Sequence, residues 1–174
     1  MKKLIICLFI IPLVALSQRA VTKATDHFTY KETADRNLKI YSFNPPTWKK
    51  TKQYPSIVFY FGGALIKRNL NQLENIAQEF SENGYVAFLA DYRVKSRENV
   101  TALDCISDAR DSFAFVRENA DRFSLDESKI TAFGYSSGGY LASALGTLDD
   151  PIHGANSKPN SMILLAMGNP TKYR

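Results

Sequence analysis

Cysteine and histidine are nearly absent from this chain, with two of each in 174 residues. Cys7 lies in the amino-terminal apolar run and leaves Cys105 alone in the remainder, so no internal disulfide can staple the fold. So few thiols and imidazoles, with no His/Cys/Asp cluster at ligand spacing, exclude a metal centre and leave no cofactor to expect. Very long apolar runs are missing too. The stretch Leu4 to Leu16 is too short for a comfortable membrane span, and no second one follows. Charge runs are equally scarce. The basic residues are dispersed as Lys49-Lys50-x-Lys52, Lys67-Arg68 and Arg93-x-Lys95-x-Arg97, without interleaved aromatics, which excludes nucleic acid as a partner. There is no repeat, low-complexity segment or linker, and the length suits one domain.

Residues 1–17 read as a secretory signal peptide. Lys2 and Lys3 form its basic end, Leu4 to Leu16 its apolar middle, and Ala15-Leu16-Ser17 supplies small residues for cleavage before Gln18. Cys7 lacks the preceding small residues of a lipoprotein site, so no stable membrane anchor is expected. The expectation is an exported chain, periplasmic or secreted, with one domain over 18–174. Its net charge falls from +5 to +3 when Lys2 and Lys3 leave. Cys105, in Ala102-Leu103-x-Cys105-Ile106, is expected to be a small buried apolar residue.

The pattern alternates strands with helices. His27 to Glu32 and Leu38 to Phe43 alternate around Asp35-Arg36-Asn37 and predict an antiparallel hairpin at one sheet edge. Ser56 to Phe61 is a continuous apolar run stopped by Gly62-Gly63, as a strand buried on both faces would be. Leu70 to Asn83 has helical spacing and ends at Gly84. Tyr85 to Ala90 predicts a second buried strand, Thr101 to Ala120 a long helix, and Ser161 to Met167 a last buried strand. That order means a mostly parallel sheet with helices on both faces.

The stretch Ala132-Phe133-Gly134-Tyr135-Ser136-Ser137-Gly138-Gly139 carries the most chemistry. It follows the β-prone Lys129-Ile130-Thr131 and leads into the helix-prone Tyr140 to Gly146. Strand, Gly-x-Ser-x-Gly, then helix is the setting of a nucleophile elbow. Ser136 alone has glycine two residues before and two after. Gly134 and Gly138 flank the turn because a Cβ there would collide with neighbouring backbone. The Ser137 amide, at the helix start, points where an oxyanion would form.

These motifs together resemble the α/β-hydrolase fold, and within it the secreted esterase/lipase group that includes feruloyl- and acetyl-esterase-like proteins. The resemblance runs from about Phe28 to Gly168. Ile57-Val58-Phe59-Tyr60-Phe61-Gly62-Gly63-Ala64 is similar to the oxyanion motif His-Gly-Gly-Gly. Ala90-Asp91-Tyr92-Arg93 is similar to the Asp-Tyr-Arg segment after the next strand. Asp108-Ala109-Arg110 through Ala120 matches the helix before the elbow. The resemblance implies Ser136 as a nucleophile attacking an ester carbonyl, and backbone N–H groups of Gly63, Ala64 and Ser137 as the oxyanion hole. It implies as substrate a small ester or an acylated carbohydrate. Phe61 stands where the family has His, which predicts a differently supported oxyanion loop. Asp91 and Arg93 are expected to hold the strand end, and Tyr92 to be pocket wall or core.

The fold's chain order is Ser, then Asp or Glu, then His. Neither histidine fits it. His27 begins the edge hairpin. His153 lies in a loop with Asp149 and Asp150, after a helix that carries it ~15–20 Å from the elbow at a rise of about 1.5 Å per residue. Asp149 and Asp150 read as a solvated turn, and His153 as an exposed loop residue. The reading is therefore the amino-terminal part of a longer serine esterase, its C-terminal strands, acid and base lying beyond Arg174. The alternative is a non-catalytic protein of the same fold that binds a ligand or needs a partner chain.

Overall fold

Alternation decides the first edge of the sheet. Asp26–Glu32 (β1) and Asn37–Phe43 (β2) pair antiparallel, as their sequence pattern predicts. The computed structural model describes residues 21–166; the apolar run, its cleavage site, Cys7 and Met167 lie outside them. Continuous apolar runs take the middle positions. Tyr54–Tyr60 (β3) and Val86–Ala90 (β4) are buried almost throughout and pair in parallel. Leu125–Tyr135 (β5) runs parallel to β3 on its other side, and Ser161–Leu165 (β6) parallel to β5. Among the described residues the sheet has six strands in the order β1-β2-β4-β3-β5-β6.

The helices are Glu74–Glu82 (α1), Lys95–Glu98 (α2), Ala102–Glu118 (α3), Ala120–Phe123 (α4) and Ser137–Thr147 (α5). The connection from β3 through α1 to β4 steps one way along the sheet, whereas β4 through α3 to β5 steps the other. Right-handed crossovers therefore put α1 and α3 on opposite faces. The step from β5 through α5 to β6 repeats the α3 direction, and α5 accordingly packs on α3. This is the α/β-hydrolase fold. Thr101 starts α3 with a capping box: its side chain accepts from the Asp104 amide, and its own amide donates to Asp104 Oδ2 at 2.8 Å. The Thr101 hydroxyl, donating to Asp104 Oδ2 at 2.6 Å, and after it the Thr101 amide hold the Asp104 carboxyl below its ordinary range. Such a cap contributes about 1 kcal/mol.

The register fixes where a site can form. Tyr60 lies opposite Gly134, so β3 and β5 end level, and each opens at its carboxyl end into a glycine-containing turn. A crevice outside the carboxyl ends of parallel strands is the usual ligand position in open α/β sheets.

Three expectations are corrected. The helix predicted over Leu70 to Asn83 begins as a 3₁₀ turn, Leu70–Leu73, before α1. Strand β5 starts at Leu125, four residues earlier than the β-prone run predicts, because its register against β3 slips between Tyr54 and Ser56. The last strand is not buried. Met162, Ile163, Leu164 and Leu165 are each 38–48 % exposed, since β6 has only β5 beside it among the described residues.

Candidate active site

Ser136 adopts φ 52° and ψ −118°, a conformation L-residues rarely adopt. It sits between the end of β5 and the first residue of α5. Its amide donates to Leu165 O at 2.9 Å, and its carbonyl accepts from the Gly139 amide at 3.0 Å, which fixes the turn from both sides. A Cβ on Gly134 would lie 2.2 Å from Gly138 O, and one on Gly138 would lie 2.0 Å from Tyr60 O. Both contacts are with backbone, which cannot swing aside. The helix start can approach β3 this closely only because no side chain intervenes. The Ser136 hydroxyl has no hydrogen-bond partner among the described residues and lines an open cleft of about 390 Å³.

The other wall of that cleft is the loop after β3. Gly63, Ala64 and Leu65 have φ of +148°, +57° and +57°. Two of these are not glycine, and a left-handed conformation costs about 1–2 kcal/mol for each such residue. The surroundings must hold the loop, and they do so at several atoms. The Gly62 amide donates to Gln72 Oε1 at 2.9 Å. The Leu65 amide donates to Ser137 Oγ at 3.3 Å, across a contact buried from solvent. The Lys95 amide reaches Leu65 O, and the Ser96 amide Ile66 O, at 2.9 and 3.1 Å. Ala64 in place of a third glycine is accommodated with its methyl exposed.

Asp91 and Arg93 hold the neighbouring strand end, as expected. The buried Asp91 carboxylate accepts from Arg68 Nε at 2.8 Å and Nη2 at 2.9 Å, and from Arg36 Nη1 at 2.7 Å. It thus ties the loop after β3 to the β1–β2 turn. Arg93 makes a paired contact with Asp108, whose hydrogen bonds push the guanidinium further above its ordinary value against the opposing effect of burial. Burial alone would lower the Lys31 ammonium, but its bonds to Asp108 and Asp111 outweigh this and raise it. Tyr92 is core. Its ring stacks on Phe61 at 4.1 Å and 10°, and its hydroxyl donates to Phe61 O at 2.7 Å. Phe61 itself is fully buried.

Ser136, Gly63 and Ala64 therefore line one cleft, joined by Gly62, Ile66, Lys67, Asn69, Gln72 and Tyr135. Ser137 stands directly behind it, fully buried. Neither histidine is part of it. His27 is on β1, the strand at the far edge of the sheet from β6. His153 is not an exposed loop residue: its Nε2 lies 2.7 Å from Asp111 Oδ1, in a separate hollow between α3 and the loop after α5. Of the two adjacent aspartates only Asp149 is solvated. Asp150 is buried and accepts from the Ile152 and His153 amides at 3.0 and 3.3 Å. Burial would raise its carboxyl, but the Ser157 bond and those amides hold it below the ordinary range. Burial pushes the Cys105 thiol up to about 12. Among the described residues no group of three His, Cys, Asp or Glu is placed to hold a metal ion. Gln72, Arg68 and the Ser137 side chain were not marked by any sequence motif; their partners lie 10, 23 and 72 positions away.

Comparison with known proteins agrees with this geometry. Thermogutta terrifontis esterase 2, phosphonylated by sarin, superposes with a TM-score of 0.78 at 33% identity, over 83% of this chain and 54% of that one. Its butyrate-bound form superposes at 0.75 with 35% identity, over 82% and 52%. An AB hydrolase superfamily protein of Schizosaccharomyces pombe is 29% identical over 93 residues, 53% of this chain and 27% of that protein. The chain thus spans about half the length of the esterase structures and about a quarter of the yeast relative. The BD-FAE family model matches residues 38–162. With most of its length matched, and the strand–turn–helix around Ser136 inside the match, the chain belongs to the BD-FAE family of the α/β-hydrolase superfamily.

Proposed function

We propose that this chain is the nucleophile-bearing part of a serine esterase, and that Ser136 forms an acyl-enzyme with a small ester or acylated carbohydrate. The strained backbone of Ser136, which presents an unbonded hydroxyl to the cleft shared with Gly63 and Ala64, carries the reading. In the proposed step Ser136 Oγ attacks the ester carbonyl and loses its proton to a base. The oxyanion is stabilised by the backbone N–H groups of Gly63, Ala64 and Ser137. The intermediate expels the alcohol, and water then releases the acid from the serine. The base and its acid partner come from residues outside the 174, since neither histidine lines the cleft. Without them, the hole alone supports about 10³–10⁴-fold catalysis over water. The short acyl groups bound by the Thermogutta esterase support a small acyl substrate here. The proposal includes export, with residues 1–17 removed and one hydrolase domain over 18–174.

A second reading, a non-catalytic ligand-binding member of the fold, is favoured by one observation: among the described residues no imidazole or carboxylate lines the cleft. Covalent labelling with a fluorophosphonate separates the two. Ser136 Oγ would displace fluoride from phosphorus, and intact mass with peptide mapping would find the adduct. Because the described cleft supplies no base, we expect slow labelling at Ser136, at the residual rate the hole alone supports, and none in Ser136→Ala. A folded chain that stays unlabelled would favour the non-catalytic reading.

A further inference from the structure

The loop after β3 offers consecutive amides at Gly62, Gly63, Ala64 and Leu65, and the protein treats them unequally. The outer two are occupied. Gly62 N–H donates to the Gln72 carboxamide oxygen at 2.9 Å, and Leu65 N–H donates to the Ser137 hydroxyl at 3.3 Å. The inner two, Gly63 and Ala64, have no acceptor among the described residues, and both line the cleft with Ser136. We propose that Gln72 and Ser137 are positioning residues that choose which amides serve an anion: their side-chain acceptors take the outer N–H groups and aim the inner pair at the position in front of Ser136. The inference rests on the Ser136 reading for its chemistry, but the two clamps are a property of the loop itself.

The physical case has three parts. A run of positive φ at 63–65 is not a resting state for alanine and leucine, so it persists only where its ends are pinned. The two pins come from different elements. Gln72 belongs to the 3₁₀ turn before α1, and Ser137 is the first residue of α5, directly after the nucleophile. The hydroxyl of Ser137 therefore sets the spacing between the loop amides and the amide at the head of α5, the two sides from which an oxyanion would be held. Phe61 brings an apolar ring, stacked on Tyr92, to the start of the loop, and it supplies no polar support. Gln72, bonded one residue later, does.

The test uses Gln72→Met, which keeps size without an acceptor, Gln72→Glu, which keeps an acceptor oxygen, and Ser137→Ala. Two readouts are taken: amide hydrogen exchange at Gly62 and Leu65 by NMR, and the second-order rate of fluorophosphonate labelling at Ser136. We expect Gln72→Met to speed exchange at Gly62 and Ser137→Ala to speed it at Leu65, each by roughly tenfold or more. Gln72→Glu should restore protection at Gly62. Labelling should slow about tenfold in Gln72→Met and Ser137→Ala, less than the 10²–10³ that follows loss of a hole donor itself, while the melting temperature stays within a few degrees. Unchanged exchange in both variants overturns the proposal, and so does unchanged labelling despite fast exchange. An unsubstituted chain that folds but takes no label sinks the nucleophile reading instead. The clamps are then judged by exchange, standing if each variant exposes its own amide and falling if it does not.

Discussion

The two walls of the cleft are built by opposite means. On the β5–α5 side, Ser136 is held by what is missing: Gly134 and Gly138 carry no Cβ, and backbone packs against backbone. On the loop side, residues 62–68 are held by what is supplied, namely Gln72, Ser137, Arg68 with Asp91, and the amides of Lys95 and Ser96. The elbow is a steric device with no slack. The loop is a polar device whose contacts can be lost one at a time. The first should therefore fail all at once, and the second by degrees.

Gly138→Ala breaks the steric side hardest. The added methyl would lie 2.0 Å from Tyr60 O and 2.6 Å from Phe61 O, both main-chain atoms at the end of β3. Relief requires α5 to move off the sheet, so a loss of ~4 kcal/mol or more is expected. Urea denaturation would measure it. A loss under about 1 kcal/mol would mean the elbow has slack after all.

On the polar side the largest effect is expected at Asp91→Ala. It leaves Arg36 and Arg68 facing a site without its carboxylate, and removing one member of such a buried cluster costs about 3 kcal/mol. Loss of the link to the loop should also slow Ser136 labelling. The comparison predicts a folded, weakened protein here, against an unfolded one for Gly138→Ala. Circular dichroism of the two variants at 25 °C distinguishes these outcomes.

The same contrast governs what could be read in advance. The elbow is legible because its demand is local: the glycines lie two positions either side of Ser136, between a β-prone and a helix-prone run. The hairpin, β3, β4 and the Thr101-capped α3 are legible for the same reason, since periodicity and caps are short-range. The loop's supports are not. Gln72 acts 10 positions from Gly62, Arg36 acts 55 from Asp91 and Ser137 acts 72 from Leu65, so no motif marks them. Strand β6 shows the limit of composition. Met162 to Leu165 is as apolar as β3, yet burial depends on what lies beside and above a strand, and the run itself does not contain that information. Asp149 and Asp150 make the point in two residues: one fully solvated, the other turned inward to cap the amides of Ile152 and His153.

Tyr92→Phe sharpens the comparison within the loop side. It keeps the ring stacked on Phe61 and removes only the hydroxyl that donates to Phe61 O at 2.7 Å. One buried neutral hydrogen bond is worth about 1 kcal/mol. The expected result is a shift of a few degrees in melting temperature with the fold intact, and a clearly larger shift would show that the hydroxyl organises more than one carbonyl.

Cys105 reports the smallest motions of this polar side. Its Sγ donates to Arg93 O at 3.3 Å, next to the segment whose Lys95 amide holds Leu65. Burial raises the thiol to about 12, so at pH 8.5 the folded protein keeps the proton that an unfolded chain, with a thiol near 8.5, half releases. The sign follows. Between about pH 8.5 and 12 the folded state binds more protons, and this contribution to stability falls as pH rises through that window. Iodoacetamide at pH 8.5 should alkylate native Cys105 slowly, at a rate set by opening of the segment, and the unfolded chain rapidly. Asp91→Ala should speed native alkylation more than Tyr92→Phe does, because it removes the tie between the loop and the strand end. Equal rates in both variants would show that the thiol is exposed by another route and that the loop's supports do not act as a chain.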